Sequence, residues 1–203
     1  ALQLMALLYP RPGELRQAEW REFGLDGGVW TIPAARMKMR REHRKPLPAL
    51  AVAILRDLHK LTGHGRLVLP SVQSTLRPMS ENTLNSALRR MGFLDFVKER
   101  GTGPLFYRKS SGKTTKKHAS KGITNRLAGW VRESGFDDPR KAPNHAFRHW
   151  FKSAAVHVGI SDSMADAIQG HAGKTVASRY RHFSIKGMAD AIALLPLPPT
   201  ADY

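Results

Sequence analysis

Residues 144–183 read NHAFRHWFKSAAVHVGISDSMADAIQGHAGKTVASRYRHF, and this stretch decides how the chain is interpreted. Its chemistry-bearing side chains are His145, Arg148, His171 and Tyr180, which are two imidazoles, a guanidinium and a phenol. Forked guanidinium donors suit a phosphate-bearing substrate, and an activated phenol can serve as a nucleophile. The stretch therefore predicts a phosphate site with a tyrosine that attacks it.

The composition favours a soluble globular protein with a polyanionic partner. The chain has 203 residues, 41% of them hydrophobic, and a formal net charge of +17. Because Lys and Arg displace condensed counterions from phosphate, this charge favours nucleic acid. We find no long apolar run, basic amphipathic anchor or signal peptide, so no membrane partner is expected. Cysteine is absent from the sequence, which removes disulfides and thiolate metal sites and fits a reducing cytoplasm.

Hydrophobic periodicity predicts a mainly helical chain with a small β-meander. Helices are expected over 1–9, 12–19, 48–62, 81–91, 143–158, 161–169, 176–182 and 185–195. Residues 22–48 indicate the meander, with a turn at Asp26-Gly27-Gly28 and a strand over 29–32. Lys38 is expected on a strand, followed by a basic hairpin tip.

Two basic runs are predicted to contact DNA, one at the hairpin tip and one in a loop over 108–121. The alternative for both runs is a solvated basic surface, which is how most charge runs behave. The candidate DNA-binding residues are Arg40, Arg41, Arg44, Lys45, Lys113, Lys116 and Lys117.

Residues 67–93 and 104–136 are alike, and aligning Phe93 with Phe136 gives each copy an extended segment followed by a helix. A duplication, a joint between two related proteins near 93–95, and a chance likeness between short helices all remain open.

The order of the motifs resembles the catalytic domain of the tyrosine recombinases, the phage-integrase family. HAFR at 145–148 is similar to the family's H-x-x-R, and QGH at 169–171 to its L-G-H, with the glutamine a departure. Tyr180 has the family's usual spacing to the preceding histidine. Arg11, in the sequence RPGEL, resembles the first arginine box, and Lys38 resembles the β-hairpin lysine.

The resemblance implies a fold and a reaction. The fold would be mainly α with a small antiparallel β-sheet (α+β), as a single catalytic domain over 1–203 without the N-terminal DNA-binding domains of a full integrase. The reaction would be DNA cutting and rejoining through a 3′-phosphotyrosine, independent of metal and ATP. The candidate site residues are Arg11, Lys38, His145, Arg148, His171 and Tyr180.

The chemistry explains why these residue types belong together. Attack on a phosphodiester builds negative charge, which Arg11 and Arg148 would clamp while His171 adds a hydrogen bond. A free tyrosine has a pKa of about 10. Nearby cations and His145, as proton acceptor or relay, would therefore activate it. The resemblance assigns protonation of the departing 5′ oxygen to Lys38.

The resemblance also implies partners and a setting. Double-stranded DNA would be the partner, bound by a homotetramer that is monomeric when free, in the bacterial cytoplasm at the nucleoid. The role would be integration or excision of mobile DNA such as a prophage. Two alternatives stay open: a non-catalytic basic DNA-binding module, and a DNA-relaxing enzyme of the type IB topoisomerase class.

Neither a metal nor a cofactor is expected. The H-x-x-x-H spacing of His145 and His149 fits a zinc helix, but Ala146 replaces the glutamate that a zinc protease needs. Because the chain opens inside a predicted helix, we expect it to be a piece of a longer protein.

Overall fold

The computed structural model describes residues 1–90, 146–171 and 183–196. These residues form seven α-helices and two small antiparallel sheets, so the predicted α+β class is confirmed. The second copy of the repeated unit and the predicted helix over 176–182 lie outside the described residues. So do five candidate residues: Lys113, Lys116, Lys117, His145 and Tyr180.

Two short helices open the chain, α1 over Leu2–Leu8 and α2 over Pro12–Arg16. Pro12 suits the first position of α2, where a missing N–H costs no helical bond. The helix ends before the predicted residue 19 because the chain turns away to pair with residues 66–68. There the Ala18 carbonyl accepts from the amide of Val68.

A three-stranded antiparallel sheet follows, in the order β1 (Phe23–Gly24), β2 (Val29–Ile32) and β3 (His43–Pro46). The turn predicted between β1 and β2 is confirmed, with Gly28 at φ +60°. Single-turn 3-10 helices lie on either side of this pair of strands, over Trp20–Glu22 and Ala34–Arg36.

The connection between β2 and β3 differs from the predicted hairpin. Lys38 lies in an exposed turn rather than on a strand, because β2 ends at Ile32 and the next residue, Pro33, has no N–H for a ladder. The prediction that Lys45 contacts DNA is wrong, because Lys45 lies in β3, fully buried and directly opposite the fully buried Trp30. Side chains alternate along a strand, so Arg44 is exposed while Lys45 enters the core.

The remaining described elements are mostly helical. They are α3 (Ala49–Thr62), a hairpin of β4 (Pro70–Ser71) and β5 (Ser74–Pro78), α4 (Glu81–Arg90), α5 (Ala146–His157), α6 (Asp162–Gln169) and α7 (Ile185–Ala193). The hydroxyls of Ser161 and Ser184 cap α6 and α7 by accepting main-chain N–H groups. Gly170 ends α6 in the left-handed conformation.

One apolar core joins the two ends of the described chain. The Tyr9 ring lies 4.5 Å from the Phe151 ring and 5.8 Å from the Trp150 ring, measured between centroids. The last helix, α7, packs against β3 and α6. Hydrophobic packing therefore places the end of α1 against α5, which carries Arg148.

Among the described helices, none combines the length and apolar character that crossing a membrane requires.

Gly170 provides a test of how closely α6 approaches the β2–β3 connection. A Cβ at this position would lie 2.9 Å from Met37 Cε and 3.0 Å from His43 Cδ2, at a φ of +66°. Gly159 has a φ of +77°, but a Cβ added there would meet no heavy atom within 4 Å, so this position isolates the backbone strain.

We expect Gly159→Ala to lower the free energy of unfolding by about 1–2 kcal/mol through strain alone. Gly170→Ala should cost roughly 1–3 kcal/mol more, because the core must also give way. Urea unfolding of both variants checks this, and equal losses would contradict the close approach.

Candidate active site

Arg148 is the buried centre of a polar cluster. It lies on α5, and only 6% of its surface is exposed. Its Nη1 donates to the Tyr9 carbonyl at 2.8 Å, and its Nη2 donates to the Gln169 carbonyl at 3.1 Å. Burial and the nearby charge of Arg11 lower the pKa of Arg148 to about 10, which leaves it cationic at neutral pH. Arg148 is therefore a fixed donor fork and not a solvated surface arginine.

His171 follows Gly170, the glycine that ends α6, and contacts the same fork. Its Nε2 lies 2.7 Å from Arg148 Nη2, and its Nδ1 lies 3.1 Å from Asp166 Oδ1. A guanidinium can only donate, so Nε2 must accept and Nδ1–H must donate to Asp166. This hydrogen-bond network assigns a neutral ring that carries its proton on Nδ1.

The pKa of His171 reflects competing neighbours. Burial lowers this pKa most, the hydrogen bond to Asp166 raises it, and the charge of Arg148 lowers it again, with a net lowering. The pKa of the Asp166 carboxyl is raised by burial, but hydrogen bonds from Lys152 and His171 outweigh this and lower it overall. Asp166 is therefore an ionised acceptor that orients the ring.

Gln169, the departure from the family's L-G-H, has a structural role. It is 1% exposed, and its side-chain Nε2 donates to the Arg148 carbonyl at 2.8 Å. Since its own carbonyl accepts from Arg148, the two residues are bonded in both directions. A leucine could fill this space but could not donate, so the glutamine adds a tie between α5 and α6.

Arg11 precedes α2 and is held by Glu14. The Arg11 main-chain N–H donates to Glu14 Oε2 at 2.8 Å, and its Nη1 donates to Oε1 at 2.6 Å. Burial raises the pKa of Glu14, but the bonds from Arg11 more than offset this, so its pKa is lowered and it stays ionised. The Arg11 side chain remains 24% exposed. Arg148 binds the Tyr9 carbonyl only two residues earlier, which brings the two arginines to one region.

Arg36 connects the segment that carries Lys38 to α2. Its Nη1 donates to the Glu14 carbonyl at 2.8 Å, and its Nη2 pairs with Glu22. Glu22 also accepts from Trp30 Nε1 at 3.0 Å, so the guanidinium is anchored on two sides. Lys38 follows two residues later and is exposed.

The structure thus brings together Arg148, His171 and the junction that carries Arg11. Lys38 lies on a segment tethered to that junction, while His145 and Tyr180 lie outside the described residues. The roles of all six remain predictions.

Sequence reasoning missed several residues that hold the candidate site. The sequence identifies the acidic Glu14 only as a first-turn residue, and nothing in it pairs Asp166 with His171. Burial of Lys45 follows from its register opposite Trp30, but the long connection hides that register. The missed residues are Glu14, Arg36, Asp166 and Lys45, whose Nζ donates to the Leu8 carbonyl.

In a comparison with known protein families, the model of the phage integrase family matches residues 1–186. The chain belongs to the phage integrase family. The integrase of enterobacteria phage P4 is 40% identical over 105 residues, which are 46% of this chain and 24% of the relative. Prophage integrase IntA of Escherichia coli (strain K12) is 42% identical over 86 residues, 42% of this chain and 21% of the relative.

A third relative is also an integrase. Prophage integrase IntZ of Escherichia coli (strain K12) is 33% identical over 106 residues, 52% of this chain and 26% of the relative. This integrase-family chain therefore spans between 21% and 26% of the length of these three relatives. No solved structure matches it.

Asp166 should set the protonation and direction of the His171 ring. In Asp166→Ala, the hydrogen bond that raises the pKa of His171 is lost, so we expect that pKa to fall below its value in the unmodified chain. Nuclear magnetic resonance titration of His171 measures the change. Asp162→Ala removes a largely exposed carboxylate from the same helix and serves as the control. An unchanged pKa in Asp166→Ala would contradict the orienting role.

Proposed function

We propose that this chain is the catalytic domain, over residues 1–203, of a site-specific DNA recombinase that cuts and rejoins double-stranded DNA through Tyr180. The observation that carries the proposal is the buried Arg148 fork, fixed beside His171 and the Arg11 junction. Preorganised donors in a water-poor site stabilise developing charge far better than mobile ones. A net charge of +17 and membership of the phage integrase family support DNA as the substrate.

Arg148 can bind a phosphate while keeping its main-chain contacts to the Tyr9 and Gln169 carbonyls. Its guanidinium has five N–H donors, and three directions are taken by Tyr9, Gln169 and His171. Two donors remain for the non-bridging oxygens. Arg11 uses one guanidinium nitrogen on Glu14 and presents the exposed part of its side chain as the second half of the clamp.

His171 changes its role when phosphate arrives. Without phosphate, its Nε2 accepts from Arg148 and cannot donate to an oxygen. Negative charge beside the ring favours a second proton on Nε2, which then donates to the phosphate. Asp166 already accepts from Nδ1 and stabilises the imidazolium without reorientation of the ring.

The covalent step exchanges one phosphoester bond for another. The Tyr180 oxygen attacks phosphorus, a new O–P bond forms, and the bond to the 5′ oxygen breaks. The phenolic proton passes to His145, and Lys38 gives a proton to the departing 5′ oxygen. The products are a 3′-phosphotyrosine and a 5′ hydroxyl. Attack by a 5′ hydroxyl reverses the step, so rejoining draws no energy from ATP.

The setting follows from the substrate. Exposed Arg40, Arg41 and Arg44 would contact DNA phosphates beside the site, together with the loop lysines predicted at 113, 116 and 117. The protein would work as a tetramer on two duplexes, in the bacterial cytoplasm at the nucleoid. Integration or excision of prophage DNA would be the outcome.

A covalent adduct decides between the recombinase and a non-catalytic DNA-binding module. We would use a pool of duplexes of randomised sequence, each with sulfur in place of one bridging 5′ oxygen. The thiol released by attack rejoins poorly, so the adduct accumulates. The unmodified chain should give a covalent protein–DNA band on a denaturing gel, and Tyr180→Phe should give none. Tyr107→Phe is the matched control and should keep the band.

Salt-sensitive binding of the pool without any adduct would contradict the recombinase and favour the binding module.

A comparison of sulfur-bridged duplexes with ordinary nicked duplexes tests Lys38 as the general acid. On an ordinary nicked duplex, Lys38→Ala should slow adduct formation by about 10²–10⁴-fold, because an alkoxide is a poor leaving group. On the sulfur-bridged duplex the loss should nearly vanish, since a thiol has a pKa of about 8.5 and leaves without a proton donor. Lys60→Ala, an exposed lysine on α3, should leave both rates unchanged. An equal loss on the two substrates would contradict a proton-donor role.

A further inference from the structure

Lys45 is a lysine enclosed in the core. It is 0% exposed, faces the equally buried Trp30 across the sheet, and donates from Nζ to the Leu8 carbonyl at 2.7 Å. Burial of an ammonium destabilises the folded protein unless its surroundings compensate for the lost hydration. A side chain kept at this cost calls for an explanation other than the filling of space.

Two cations bind successive carbonyls at the C-terminal end of α1. Lys45 reaches the Leu8 carbonyl from β3, and Arg148 reaches the Tyr9 carbonyl from α5. The last carbonyls of a helix lack intrahelical partners and carry partial negative charge, so cations are favourable there. The two residues after Tyr9 are Pro10 and Arg11. The junction that presents Arg11 is therefore fixed from two sides.

The charged and titratable groups around Lys45 are mostly basic. Arg148 and Arg11 lower its pKa, Glu14 raises it, and Lys45 in turn lowers the pKa of His43. Burial has the largest effect and, with the arginines, brings the pKa of Lys45 to about 7. The charge of this ammonium therefore changes within the neutral range.

We propose that Lys45 is a positioning residue of the phosphate site, which fixes the Arg11 junction relative to Arg148 and adds a third positive charge behind the two guanidiniums. It acts through the Leu8 carbonyl and through its charge, because a fully buried side chain does not reach the substrate. The effect of Lys45 on catalysis rests on the proposed function. The effect of Lys45 on phosphate binding is independent of that function.

Phosphate and the charge of Lys45 reinforce each other. A bound phosphate favours the protonated ammonium, and the protonated ammonium favours phosphate by the same free energy. The contribution of Lys45 should therefore be largest below pH 7 and fall as the pH rises through 7. Lys45→Met removes both the donor and the charge, and Lys45→Arg keeps the charge at every pH.

The experiment measures adduct formation at saturating sulfur-bridged DNA, together with DNA affinity, from pH 6 to pH 9. We expect Lys45→Met to react about tenfold more slowly than the unmodified chain at pH 6, with a smaller deficit at pH 9. The rate of adduct formation by Lys45→Arg, relative to that of the unmodified chain, should increase as the pH rises. Lys60→Met loses the same charge from an exposed position and should follow the unmodified chain throughout.

Two results overturn the proposal while leaving the recombinase intact. One is a folded Lys45→Met with the rate and pH profile of the unmodified chain. The other concerns the case in which Lys45→Met shows no cooperative melt and is therefore unfolded. In that case, a ratio of adduct-formation rates between Lys45→Arg and the unmodified chain that stays constant across the pH range overturns the proposal.

If the unmodified chain forms no adduct, the proposed function fails, and inorganic phosphate decides the role of Lys45. Nuclear magnetic resonance of the Arg11 and Arg148 guanidinium groups would follow a phosphate titration at pH 6.5. Severalfold weaker binding by Lys45→Met than by Lys60→Met supports the proposal. Equal affinities, or no binding by the unmodified chain, overturn it.

Discussion

The hydrogen bond from Arg148 to the Tyr9 carbonyl is the contact on which the site depends. A guanidinium buried to this degree must have its donors satisfied, or the cost of removing it from water is not recovered. The carbonyls that satisfy it come from the end of α1 and the end of α6. Satisfying one cation therefore fixes α5 and α6 against the end of α1, which is distant from both in sequence. The packing of Tyr9 on Phe151 makes the same junction apolar on its other side.

This arrangement concentrates positive charge before any substrate binds. Besides burial, the charges of Arg148 and Arg11 lower the pKa of Lys45, and the charge of Arg11 lowers the pKa of Arg148. The carboxylate of Glu14 opposes both effects. Such a cluster is costly to the folded protein, because like charges repel and burial weakens their hydration. Helix-end carbonyls reduce the cost but do not remove it. A bound phosphate would neutralise the repulsion among these charges. The electrostatic cost to the folded protein would therefore favour binding of a phosphate-bearing substrate.

The parts of the fold that could be predicted from sequence are those with local causes. Ser161 and Gly170 mark the limits of α6 because a hydroxyl cap and a left-handed glycine act within one turn of the helix. The prediction for Lys45 fails because its burial depends on pairing with Trp30 across a connection of ten residues, and no local pattern sets that register. Lys45 belongs to the core although Arg44, the basic residue before it, is exposed.

The candidate site divides in the same way. The residue types in HAFR and QGH could be read from the sequence, and so could their order. Their geometry could not, since Arg148 is placed by main-chain carbonyls, which every residue possesses and no sequence pattern reveals. Gln169 illustrates the point, because a departure from the expected leucine becomes intelligible only when its amide is seen on the Arg148 carbonyl.

The tautomer of His171 links this geometry to chemistry. Arg148 occupies the Nε2 lone pair and Asp166 takes the Nδ1 proton, so the ring is held neutral and oriented by two partners of opposite charge. In the proposed function, a phosphate oxygen would compete with His171 for the Arg148 donor and would also supply the negative charge that favours protonation of Nε2. In the proposed function, phosphate binding would therefore convert a contact within the protein into two donors aimed at the substrate, while Asp166 keeps the ring in place. Under that proposal, the groups that stabilise the fold without DNA would also stabilise the transition state with it.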